Sequence, residues 1–122
     1  MSTDYVYNYE KLEIYQRSKQ LIAELYKMTG KLPSIEKYNL ADQTRRSVTS
    51  VCLNIAEGNS KYYKKEQARY ADNALASLME VNACLDIAVE LDYVKIKDLE
   101  EARALIKEIY FKLIAYKKSK FK

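Results

Sequence analysis

The sequence predicts an all-α protein, an antiparallel up-down-up-down four-helix bundle that takes in residues 1–122 as one domain. Three observations carry this. Glycine occurs twice (Gly30, Gly58) and proline once (Pro33), too few turn residues for a sheet-rich fold. Apolar residues recur at steps of three and four over four long stretches. The links between those stretches are short, and short links between long helices make antiparallel neighbours. Two long helical hairpins that pair only on dimerisation are the alternative arrangement.

The first helix spans about residues 10–29. Ile14, Ser18, Leu21, Leu25 and Met28 form its inner stripe, with Tyr15, Ile22 and Tyr26 beside them. Gly30 reads as its C-terminal cap and Lys31-Leu32-Pro33-Ser34 as the break. The second helix spans about 39–57, with Asn39 as N-cap and Asp42 favouring the positive helix start. Leu40, Thr44, Ser47, Val48, Val51 and Ile55 share one face, and Gly58 ends the helix. Small or polar Ser47, Ser50 and Asn54 along its edge let another backbone approach. The third helix spans about 64–91, its core face marked by Leu75, Leu78, Val81, Leu85 and Ala88. The fourth spans about 97–117, where Leu99, Ala102, Ile106, Ile109, Leu113 and Tyr116 step as in a coiled-coil seam.

Apolar residues make up 48% of the chain and charged residues 31%, an ordinary soluble balance. No stretch reaches ~18 successive apolar residues, and Met1 to Glu10 lacks the basic and apolar parts of a signal peptide. A cytoplasmic protein follows. Histidine is absent, which removes the commonest general base and neutral metal ligand. Cys52 and Cys84 lack CxxC pairing and read as small buried hydrophobes, not as a zinc site or a disulfide. No P-loop, Gly-rich turn or nucleophile elbow occurs. A bundle di-metal site would want Glu-x-x-His pairs. The expectation is therefore no enzyme, no metal and no cofactor.

Net charge is +4, and it is unevenly placed. Residues 93–122 hold nine bases and four acids, and no acid follows Glu108. Lys117 and Lys118 in this cationic end are candidates for polyanion binding, and they also suit the negative end of a helix dipole. Lys61, Lys64, Lys65 and Arg69 form a second cluster, interleaved with Tyr62, Tyr63 and Tyr70. Lysines neutralise phosphates and tyrosine rings stack on unpaired bases, so this is the main candidate nucleic-acid site. Twelve tyrosines and wide apolar arcs point to a homo-oligomer, since tyrosine suits boundaries that are apolar on one side and wet on the other.

Arg45 and Arg46 stand ~100° apart on one helix and cannot share a job. Arg45 is the candidate for phosphate. Arg46 is expected to pair with Glu57 or Glu80, within the bundle or across subunits, since an arginine–carboxylate fork would fix register. Asn54, Glu57, Gly58 and Glu80 complete this structural or interface set.

The order Pro33, Glu36, Tyr38, Leu40, Gln43, Arg45-Arg46, Ser47, then Asn54-Ile55-Ala56-Glu57-Gly58, then Ala74, Ser77 and Glu80, resembles the four-helix-bundle proteins encoded in 23S ribosomal RNA intervening sequences. The likeness runs from about Tyr9 to Tyr116. It implies a cytoplasmic bacterial bundle that assembles as a homopentameric ring, with no enzymatic activity and with RNA or DNA as the suggested partner. A related bundle serves diversity-generating retroelements, where it binds a reverse transcriptase and nucleic acid. This chain departs from the family at Tyr63, where a capping serine or threonine is common. It departs again at Tyr70, often phenylalanine, and at Ala76, often glycine. The predicted function is an oligomeric bundle that binds RNA through its basic patches. The alternative is a scaffold or protein-interaction ring with no nucleic-acid role.

Overall fold

The computed structural model describes residues 4–121. Four helices make up the fold: α1 (Glu13–Thr29), α2 (Leu40–Asn59), α3 (Lys64–Glu90) and α4 (Glu100–Ser119). Short 3-10 turns at Asn8–Lys11, Ser34–Glu36 and Ile96–Leu99 precede α1, α2 and α4. Each helix packs on its chain neighbours, and α1 also packs on α4. Contact partners run in opposite numerical order on adjacent helices. Ser47 meets Glu80 and Ser50 meets Ser77 between α2 and α3. Glu13 meets Lys112 and Arg17 meets Glu108 between α1 and α4.

All four helices contribute to one core. The stripe read on α1, from Ile14 to Met28, is buried throughout, as are Val48, Val51 and Ile55 on α2. Leu78, Val81 and Leu85 of α3 and Ile106, Ile109 and Leu113 of α4 close it. Leu75 and Tyr116 lie only half buried at its margin. Polar groups inside are satisfied locally. The hydroxyls of Ser18 and Thr44 donate to the carbonyls of Ile14 and Leu40, one turn back, while Ser47 Oγ lies within hydrogen-bond distance of both Gln43 O and the Glu80 carboxylate. Cys52 and Cys84 are buried free thiols, and burial pushes both thiol pKa values up, which keeps them protonated.

The closest packing is α2 against α3. The serine hydroxyls of Ser50 and Ser77 meet at 2.9 Å, and Asn54 Nδ2 donates to Ser50 O and Oγ. Gly58 does not end α2, as expected, but lies buried inside it. A Cβ there would stand 2.4 Å from Tyr70 Cβ. The glycine is needed for close approach of two helices, not for termination.

Gly30 is the C-cap of α1, as expected, and takes up that place in the right-handed region, with φ −65°. The start of α2 departs from expectation. Asn39 makes no side-chain cap to α2. Glu36 does so instead: its Oε1 accepts the Leu40 N–H at 3.4 Å and the Asn39 amide at 3.1 Å. At the end of α3, Asp92 takes φ 59°, while the Asp92 and Tyr93 N–H groups donate to Val89 O and Ala88 O. This is the paired-bond left-handed stop that glycine usually supplies.

Candidate nucleic-acid interface

The end of α2, the start of α3 and the end of α4 meet at one pole of the bundle. Asn59 ties the end of α2 to α4 and to the turn before α1: it accepts from the Asn8 amide at 3.0 Å and donates to Tyr116 OH at 3.2 Å. Lys117 Nζ reaches Asp72 Oδ1 across α3 and α4 at 2.7 Å. An open groove of about 630 Å³ runs between the two helices, lined by Lys65, Glu66, Arg69, Asp72, Lys117 and Phe121. The two lysine clusters, read as separate sites in the sequence, therefore form one surface. Residues 61–72 and 116–121 together hold seven bases (Lys61, Lys64, Lys65, Arg69, Lys117, Lys118, Lys120) against two acids (Glu66, Asp72).

The bases are not equally available. Glu66 holds Arg69 through Nε and Nη2 at 3.1 and 2.8 Å, which raises the Arg69 pKa further, and Asp72 holds Lys117. Lys61 lies over the Tyr70 ring and Lys120 over the Tyr116 ring. Lys64, Lys65 and Lys118 have no ion pair among the described residues. Tyr62 and Tyr63 are 89% and 69% exposed, edge to face at 5.1 Å. Tyr63 is also the N-cap of α3 and offers no side-chain cap. The first N–H groups of α3 thus face outward at the positive end of the helix dipole, beside Lys64 and Lys65. That combination suits phosphate oxygens.

Arg45 is not part of this pole. It sits about 21 Å of helix rise from Asn59, at the other end of α2. There its guanidinium lies 5.9 Å from the Tyr26 ring and reaches Thr29 Oγ1 and Lys37 O, each at 3.4 Å.

Arg46 pairs with neither Glu57 nor Glu80 within the chain. Its Nε meets Asp42 Oδ2 at 2.9 Å, one turn back, with the arginine side chain 80% exposed. Glu57 lies on the same helix about 16 Å along the axis, beyond side-chain reach, and is exposed with no ion pair among the described residues. Glu80 takes the Ser47 hydroxyl at 2.5 Å instead. The residues missed by sequence reasoning are Asn59 and Phe121. Their signal lay only in the topology that brings α2, α3 and α4 together.

Among the described residues no cluster of three or more His, Cys, Asp or Glu could hold a metal ion. Among the described residues no helix is long and apolar enough to cross a membrane.

The model of the 23S rRNA-intervening sequence protein family matches residues 10–115, the bundle up to the last turn of α4. The chain belongs to this family. Among solved structures, it is similar to a protein of unknown function from the S23 ribosomal protein family of Bacteroides thetaiotaomicron. The two superpose with a TM-score of 0.79 over 86% of this chain and 95% of the other, at 21% identity. That likeness carries the fold. Comparison with curated proteins finds no match.

Proposed function

We propose that this member of the 23S rRNA-intervening sequence protein family is a cytoplasmic, non-enzymatic homo-oligomer that binds RNA at its basic pole. The observation that carries the reading is unpaired Lys64 and Lys65 beside exposed Tyr62 and Tyr63 at the uncapped start of α3, with unpaired Lys118 on α4 next to Lys117, which reaches Asp72 of α3. Phosphates fit the lysines and the free N–H groups, and unpaired bases fit the tyrosine faces. A symmetric assembly, a pentamer by family resemblance, would repeat the pole and multiply a modest single-site affinity.

The test is RNA binding across a salt series with the protein and a Lys64→Glu/Lys65→Glu/Lys118→Glu variant. These lysines hold no ion pair, so the variant keeps its helical circular dichroism. The expected result is a dissociation constant that rises steeply with salt, by a log–log slope of about 0.7–0.9 per neutralised phosphate. The variant should show a smaller slope and at least a tenfold weaker affinity. Equal affinity and slope in both proteins would contradict the reading.

A second reading, a scaffold ring without nucleic acid, has its own support: Arg69 and Lys117 are already neutralised by Glu66 and Asp72. It predicts the same oligomer with no salt-dependent RNA retention.

A further inference from the structure

We propose that the arginine groove between α1 and α2 of one copy receives the acidic groove between α1 and α4 of a second copy of this chain. The inference rests on the homo-oligomer reading and assigns its faces.

The first groove encloses about 520 Å³ and is lined by Tyr26, Asp42, Arg45, Arg46 and Leu53 among others. Arg45 has no carboxylate partner among the described residues, and its two hydrogen bonds are long, at 3.4 Å. Arg46 shares the groove's single carboxylate, Asp42, and stays largely exposed. Leu53 lines the same groove and is 62% exposed. Within one chain Leu53 stays exposed, and the Arg45 guanidinium meets the Tyr26 ring, Thr29 and Lys37 but no carboxylate among the described residues.

The second groove encloses about 430 Å³ and supplies what the first lacks. Glu24 of α1 and Glu101 of α4 line it, and neither has an ion pair among the described residues. Ala104 and Leu105 line the same groove, the first a small exposed side chain and the second a half-buried apolar one. In the proposed contact Leu53 of one copy packs on Ala104 and Leu105 of the next, and the two glutamates pair with the two arginines.

Neither groove is complementary to itself. Two arginine grooves repel, and so do two acidic ones. The contact is therefore head-to-tail, and head-to-tail contacts either close into a ring or continue as a filament. Both grooves border α1, so they open on adjacent faces of the bundle. Each copy is then turned with respect to the last, which favours closure. The basic pole lies at the end of the bundle, outside both grooves, and stays open in every copy. A nucleic-acid phosphate is the rival occupant of the arginine groove, but Asp42 opposes it, and it leaves the acidic groove unexplained.

The test is a charge swap read by native mass spectrometry at micromolar concentration, with circular dichroism to verify folding. Arg45→Glu/Arg46→Glu and Glu24→Arg/Glu101→Arg are each expected to give single-copy mass, and all four substitutions together to restore the parent mass. Leu53→Asp, at an exposed site that leaves the core intact, should weaken self-association at least tenfold. Full assembly of both reversed pairs and of Leu53→Asp would overturn the face assignment while leaving the oligomer in place. Single-copy mass for the parent protein would remove both. Loss of RNA binding in Arg45→Glu/Arg46→Glu at unchanged mass would give the groove to nucleic acid instead.

Discussion

Glu36 does for α2 what the sequence assigns to Asn39. It is buried, and its carboxylate takes three donors: the Tyr93 hydroxyl at 2.7 Å, the Leu40 N–H and the Asn39 amide. The Tyr93 bond is the main cause that holds the Glu36 carboxyl below its usual 4.5, with burial opposing. The same bond pushes the Tyr93 phenol above its usual 10. The signs set a pH window. A lowered carboxyl pKa contributes stability above pH 4.5 that is lost as pH falls through the folded value. A raised phenol pKa contributes stability below pH 10 that is lost as pH rises through the folded value. Tyr93→Phe should lower the thermal midpoint between those limits and flatten its fall on the acid side. An unchanged midpoint–pH curve would refute this link between the α3–α4 turn and the start of α2. Asp92 is a separate case. Its φ of 59° strains an L-residue, so Asp92→Gly should raise stability by about 1 kcal/mol in urea denaturation. Loss of stability would mean that the Asp92 side chain holds the turn in a way its backbone does not reveal.

The helices themselves were largely legible. Steps of three and four picked out the buried stripe of α1 residue for residue, because a helix packed on two neighbours has one inner arc and each step returns to it. The ends were not. The sequence places the starts of α1 and α4 three residues early, at 10 and 97, because the 3-10 turns there share the helical pattern but not its hydrogen bonding. Glu36 caps α2 from the turn before it, where sequence cues point to the residue next to the helix, whereas Asp98 only accepts the Lys95 N–H that opens its own 3-10 turn. Gly58 was misread for a related reason: a glycine near a helix end looks like a stop, and only the distance to Tyr70 shows it to be a contact. Gly58→Ala carries that difference into an experiment. Overpacking costs about 1–3 kcal/mol, and the better helix propensity of alanine returns at most about 1. The expected net is a loss of about 1–2 kcal/mol, with α2 and α3 pushed apart. A gain in stability would show that Gly58 serves only the chain's flexibility. The basic site was half legible. Each lysine cluster was visible as a run of charge, but their union needed the pairing of the α3 start with the α4 end.

At the scale of the molecule, one copy leaves apolar groups on its flanks. Tyr26, Leu53, Met79, Ile87 and Phe111 are each more than 40% exposed, and they lie on helices with polar neighbours. Scattered exposure of this kind is ordinary, but Leu53 and Tyr26 share a groove with two arginines, and it is there that the proposed contact between copies lies. Assembly would cover that groove and set several basic poles around one axis, so that a weak single contact with RNA becomes a strong collective one. The salt series in RNA binding measures the second half of this account. The first half is measured most directly by sedimentation equilibrium at micromolar concentration. The account predicts a mass several times 14.3 kDa, and a species of 14.3 kDa alone would contradict it.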